Sequence, residues 1–327
     1  MKDIVKQKRY FSIPYNNDLN LLECLHEEFG DLEECKEIYF AIPLKYSNTG
    51  RALEQTEEYE KQVITLLKQC ASYHVEGNML LNSACLETKM KDYSFAQRCL
   101  AYIKSLHEEY GLSSITVSDF LLAKYMKEKL PSIKIECSSV AYVDSVQKAK
   151  MWDDIGADII VIPPDCNKNL SFISSMKKIL KHAELKLLVN QDCIPFCPMR
   201  QFHNTIQTHG NDGAMYLETC SRYMKEHPWV FYSSTYIPPK YLQHYDEYIS
   251  LYKLVDRKKS TEKIIKAYGS YTGKDKYQEK ADEWNERIPE EVFEKVIRCN
   301  KHCEECGFCK AKYESNGQGL KHYIGDL

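Results

Sequence analysis

The sequence predicts a (β/α)8 barrel of the TIM type with a C-terminal helical, cysteine-rich extension. Three observations predict it. Eight short runs rich in Val, Ile, Tyr and Phe recur through residue 256, and most end in Pro, Asn, Ser or Asp. Amphipathic helical stretches separate them, the alternation that a parallel sheet with crossover helices needs. No Gly-x-Gly-x-x-Gly turn follows any strand, which disfavours the open doubly wound sheet.

In chain order the expected strands are RYFSIPY (9–15), EIYFAIP (37–43), HVEGNMLLN (74–82), SSITVSD (113–119), IKIECSS (133–139), ADIIVIP (157–163), LKLLVN (185–190) and ISLYKLVD (249–256). Between them, NDLNLLECLHEEFG opens on an Asn/Asp start and closes on glycine. SDFLLAKYMKEKLP starts with a capping pair and stops at a proline. AYVDSVQKAKMWDDIGAD has apolar residues at helical spacing closed by Gly156, and NKNLSFISSMKKILKHAE repeats the form. The barrel is expected over residues 1–271, with the helical tail over 272–327.

Composition narrows the class. The chain has 327 residues, 43% of them hydrophobic, enough for one large core. A formal net charge of −3 gives no basic footprint for nucleic acid. The N-terminus carries no apolar core of signal-peptide length, and no run approaches the ~18 apolar residues of a membrane span. The expected location is therefore cytoplasmic. There, 14 cysteines point to metal ligation or buried thiols rather than to structural disulfides.

In such barrels the reactive groups sit where strands end. The candidates on that rule are Asn16, Asn82, Cys85, Ser118, Glu136, Ser138, Asn167, Asn190, Cys193, Lys253 and Arg257. The Asn and Ser residues also suit ordinary turns and helix caps. Two cysteine groups stand out. Cys193-Ile-Pro-Phe-Cys197-Pro198 follows the seventh strand, where two soft thiolates suit iron–sulfur or zinc. Cys220 is a candidate third ligand, and Cys166, Cys85 or a tail cysteine could supply a fourth. Arg200 and His203, just beyond, offer a carboxylate-binding fork and a proton carrier. The second group, Cys299-x3-Cys303-x2-Cys306-x2-Cys309, is too tightly wrapped for a zinc ribbon of two separated knuckles. It fits an iron–sulfur loop better, with zinc the alternative. Its first three cysteines also match the spacing of radical S-adenosylmethionine enzymes, whose motif lies after the first strand rather than in a tail.

The segments SSITVSDFLLAKYMKEKLPSIKIECSS, WDDIGADIIVIPPDCNKN, LVNQDCIPFCPMRQFH and STYIPPKYLQHYDEYISLYKLVDRKKSTEKIIKAYGSYTGK together resemble the U-32 collagenase-like peptidase family and its relatives, over roughly residues 70–312. The terminal CEECGFCKAKY is similar to members of this group from anaerobes. The relatives include oxygen-independent hydroxylases of RNA bases and of ubiquinone precursors, which are barrels with a cysteine-bound 4Fe–4S cluster. Some take the hydroxyl oxygen from prephenate. The resemblance thus implies Cys193 and Cys197 as cluster ligands, with Cys220 a candidate third. The peptidase and RNA-modifying branches carry a Glu-x-Phe element, then Gly-Ala/Ser and a cysteine, between the sixth and seventh strands. This chain has no such element, so it reads as a divergent branch with its own substrate.

The function expected is that of an iron–sulfur enzyme with one or two 4Fe–4S clusters, carrying out oxygen-independent hydroxylation or a related redox or Lewis-acid reaction. Its substrate would be a small or carrier-linked anion held by Arg200, Lys253 and Arg257, with His203 moving the proton. Two alternatives stand beside it. One is a peptidase, although neither His-Glu-x-x-His nor Gly-x-Ser-x-Gly occurs. The other is a non-catalytic iron–sulfur subunit that binds a protein partner, for which 24 tyrosines would suit an interface.

Overall fold

The computed structural model describes residues 8–51, 54–210, 213–299 and 301–316. Its elements run β1 (Tyr10–Pro14), α1 (Leu21–Phe29), β2 (Cys35–Ala41), α2 (Tyr59–Ser72), β3 (Glu76–Leu81), α3 (Ser94–Tyr110), β4 (Ser114–Val117), α4 (Phe120–Lys129), β5 (Lys134–Cys137), α5 (Val146–Asp154), β6 (Ile159–Val161), α6 (Leu170–Ile179) and β7 (Glu184–Leu188). After β7 come α7 (Arg200–Thr208), α8 (Ala214–Glu226) and α9 (Val230–Ser233), and then β8 (Leu251–Lys253) and α10 (Thr261–Thr272). The extension holds α11 (Gln278–Glu286), α12 (Glu290–Val296), α13 (Cys303–Cys306) and α14 (Phe308–Ser315).

All eight strands pair in chain order, parallel throughout, and β8 closes on β1 through Phe11 opposite Tyr252. Each strand expected from the sequence overlaps one strand of the barrel. The sixth and eighth are much shorter than expected. Ile249 is buried before β8 begins, and Ile162 and Leu254, just past β6 and β8, are buried and each donate one more backbone hydrogen bond to the neighbouring strand, at Lys186 and Ser12. An apolar run reports burial, which extends past the strand on either side. The capping pair expected before α4 is in place, with Asp119 accepting a backbone N–H from its first turn. Ser145, Asn169 and Ser260, not among the caps expected from the sequence, do the same for α5, α6 and α10, whereas Asn20 before α1 makes no side-chain cap. The division expected at 271/272 falls at the end of α10. The extension shares the barrel's core: Trp284, Val292 and Phe293 are buried in it, and Phe293 stacks on Tyr241 at 4.0 Å. Gly269 on α10 lets Tyr277 lie against the helix, where a Cβ would meet its ring at 2.2 Å.

The barrel interior is partly ionic. Lys186 on β7 donates to Glu37 on β2 at 2.6 Å and to Glu136 on β5 at 2.5 Å, and all three are buried. Ser12 and Asn78 also donate to Glu37, and Thr116 donates to Asn78 at 2.9 Å. Burial opposes charge on both carboxylates. Lys186 and the donors around Glu37 nonetheless hold it down at about 2. Burial and the neighbouring Glu37 charge push Glu136 up to about 7. Lys186→Met is expected to cost about 3–5 kcal/mol in chemical denaturation, because it strands a buried carboxylate. A loss below 1 kcal/mol would show that the interior reorganises around the remaining pair.

Candidate active site

The strand ends open into a cavity of about 120 Å³ at the C-terminal face of the barrel. Its lining includes Tyr39, Arg51, Asn82, Ser138, Tyr142, Arg200, Lys253 and Arg257. Three of the four residues expected to be catalytic therefore meet here, Arg200 from the β7–β8 connection and Lys253 and Arg257 from the end of β8.

Lys253 ends β8 with its ammonium 3.8 Å above the centre of the Tyr39 ring. Burial, then the neighbouring Lys186 charge, lowers it to about 8. Arg257 is buried and gives one nitrogen to the Arg51 carbonyl at 2.6 Å and to the Thr49 hydroxyl at 3.3 Å. Its second terminal nitrogen, Nη1, is buried and has no hydrogen-bond partner among the described residues. Asp256 just before it has φ 91°, and Tyr142 across the cavity has φ 50°, so left-handed backbone borders the site on two sides. Asn204 on α7 donates to the Tyr142 hydroxyl at 2.9 Å.

Arg200 acts differently from the other two. Its guanidinium forks onto Asp165 at 2.9 and 3.2 Å and donates to the Ile194 carbonyl at 2.8 Å. Asp165 also accepts the Phe196 N–H at 2.7 Å, and Phe196 has φ 51°. Asp165 and Arg200 together thus fold the turn between Cys193 and Cys197. Thr235 holds the start of that turn through its hydroxyl, 3.1 Å from the Cys193 N–H, and through its own N–H to the Cys193 carbonyl at 3.0 Å.

The first cysteine group lies behind this wall and is absent from the cavity's described lining. Burial raises the Cys193 thiol against the lowering effect of Arg200. Burial, then Cys193 and Cys197, push Cys220 up to about 11, so the three expected ligands are electrostatic neighbours. Among the described residues no three His, Cys, Asp or Glu side chains stand close enough to hold a single metal ion. A cubane cluster separates its ligating sulfurs by its own inorganic core, and soft thiolates are its donors. As soft donors, the three thiols suit such a cluster in chemistry.

The other expected residues have mainly structural partners. His203 lies between α7 and α8, stacked on Tyr216 at 5.6 Å and under Gly213, not in the cavity lining. Asn16 holds the α10 entry through Lys259 and Thr261; Asn190 pairs with the Val255 backbone. Asn167 is buried against the Thr235 carbonyl, and Ser118 donates to the Ser83 carbonyl. Cys85 accepts the Glu87 N–H, while Cys166 neighbours Asp165, Asp144 and Lys148. Asn82 and Ser138 do line the cavity and contact each other at 3.4 Å. Glu136 lies beneath it, in the ionic interior. Sequence reasoning missed Arg51, Tyr39, Tyr142 and Asp165. Only Glu37 and Lys186 left a signal, as charges inside apolar strands.

The fold and its charged mouth define a TIM-type barrel protein with a polar site at the strand C-termini. Residues 37–192 match the model of peptidase family U32. An uncharacterized protease of Methanocaldococcus jannaschii, MJ1657, is 24% identical over 92% of this chain and 96% of its own length. The solved structure of the U32 peptidase Mk0906 superposes with a TM-score of 0.54 at 14% identity, covering 78% of this chain and 95% of that one. Over residues 37–192 the chain is thus similar to peptidase family U32. No helix among the described residues is long and apolar enough to cross a membrane.

Asp165→Ala is expected to loosen the Cys193–Cys197 turn without unfolding the barrel. Labelling of metal-free protein with a thiol reagent should become several-fold faster at Cys197. An unchanged rate would mean that Thr235 alone holds the turn.

Proposed function

We propose that the chain is an enzyme acting on a small or carrier-linked substrate through an anionic group, a carboxylate above all, bound at the barrel mouth. The observation that carries this reading is Arg257: a buried guanidinium with Nη1 unpartnered among the described residues, in a cavity it shares with Lys253 and Arg51. A buried donor left unmade costs free energy, and a ligand carboxylate would satisfy it. Lys253 would donate the second hydrogen bond and, titrating near 8, could pass a proton to the substrate or take one. Tyr142, held by Asn204, and Ser138, held by Asn82, would orient the rest of the molecule. Asp165 and Arg200 keep the neighbouring thiol turn in shape.

Cys193, Cys197 and Cys220 are the residues we propose as ligands of a 4Fe–4S cluster. Such a cluster supplies electron transfer or an open iron as Lewis acid. Oxygen-independent hydroxylation or a related redox reaction is the class of chemistry that this combination serves. Proteolysis is the second reading, favoured by the name of the archaeal relative. Peptide hydrolysis that survives removal of iron and is lost in Lys253→Met would select it.

Malonate serves as a probe of the anion site. In calorimetry, Arg257→Met is expected to weaken its binding about ten- to hundredfold. Equal affinity in the variant would remove the anion site. Wild-type affinity should fall as the pH rises through about 8, because the charged ammonium of Lys253 is lost there and not near its ordinary 10.5. The cluster has its own test. Anaerobically purified protein should carry iron and sulfide in equal amounts, and Cys193→Ala/Cys197→Ala should lose about four of each per chain. Unchanged iron in that variant would remove the cluster from this turn.

A further inference from the structure

We infer that Cys299, Cys303, Cys306 and Cys309 form a second metal site, independent of the first, built for a 4Fe–4S cluster rather than for zinc. All four line one cavity of about 760 Å³. Two left-handed residues bring them there. Lys301, with φ 64°, turns the chain between Cys299 and α13. Cys303 and Cys306 are the first and last residues of α13, three apart and so on one face. Gly307, with φ 58°, then ends α13 and starts α14 in a single step, which turns Cys309 back toward the other three. Any residue with a Cβ would be strained at that conformation.

The surroundings supply the charge such a site needs. Four thiolates around a cluster make an anion. Lys295, Arg298, Lys301 and Lys310 line the same cavity, with Arg298 also paired to Glu294; Glu304 is the one carboxylate in the lining among the described residues. Lys168 approaches from the barrel side. It is buried, its hydrogen bond is a long one of 3.4 Å to the Tyr232 carbonyl, and its neighbours include Cys299 and Cys309. Its ammonium also lies 5.5 Å from the centre of the Phe293 ring and has Lys301 as a like-charged neighbour, so an anion beside it would offset the cost of its burial. Deprotonated, ligating thiols would be that anion.

Sequence spacing favours the cluster. Zinc ribbons separate two Cys-x2-Cys knuckles by a dozen residues or more, whereas Cys299, Cys303, Cys306 and Cys309 fall within one tight wrap, as in iron–sulfur loops. All four line the same cavity. That cavity is also lined by Ile194 and Pro195, from the turn between Cys193 and Cys197. The site therefore abuts the first cysteine group across two residues of that turn.

The test uses full-length protein reconstituted anaerobically with ferrous iron and sulfide. Cys303 and Cys306 are exposed, so Cys303→Ser/Cys306→Ser should keep the barrel folded, which circular dichroism checks. That variant is expected to lose about four irons and four sulfides per chain relative to wild type. Cys193→Ala/Cys197→Ala should retain a reducible cluster with its paramagnetic resonance signal, whatever the first site binds. The inference is overturned if the tail variant keeps the full wild-type iron. It is also overturned if the first-site variant gives no cluster signal, or if the tail takes up one zinc without sulfide.

Discussion

Inside the barrel, one ammonium holds two carboxylates from two other strands. Lys186 links β7 to β2 through Glu37 and to β5 through Glu136, with no exposed atom among the bonded groups to let water take over. A barrel interior is ordinarily filled with branched apolar side chains. Here that filling is replaced by charges that are stable only when every partner is present. The closure of the sheet and the position of its polar layer therefore depend on this contact. Ser12, Asn78 and Thr116 extend it to β1, β3 and β4, so most of the strands contribute to one buried network.

The same network reaches upward. Lys186 is, after burial, the largest influence lowering Lys253, and Lys253 forms part of the cavity above it. The ionic interior and the site are thus one electrostatic system. The charge that stabilises the carboxylates below also makes the lysine above easier to deprotonate. Glu136, pushed up toward neutrality, is the group in that system best placed to hold a proton that the others cannot.

Beside the cavity, the long β7–β8 connection has a different task. Asp165, from the β6–α6 loop, accepts Arg200 and the Phe196 N–H, and so imposes one conformation on a turn that carries two thiols. The helical extension packs on the barrel through Trp284 and Phe293 and brings its own four thiols to the far side of that turn. The cavity floor, the thiol turn and the extension share walls in that order, and each is fixed by side chains of its neighbour.

Local patterns in the sequence were enough for the eight strands, their order, the capped start of α4 and the placement of Lys253 and Arg257 at the last strand's end. Strand alternation, helical spacing and cap chemistry act within a few residues, so they are written in consecutive letters. They were also enough to single out both cysteine groups, whose spacing is a local property. Which side chains meet was a matter for the tertiary structure. Lys186 and Glu37 lie 149 residues apart, and their contact exists only because the barrel closes in one register. Arg51 and Tyr39 reach the site for the same reason. Arg200, which the sequence offers as a substrate fork, is committed to Asp165, and His203, three residues on, faces α8. A helix carries residues three apart to positions that only packing can assign to a cavity or a neighbour, and no local pattern encodes that choice.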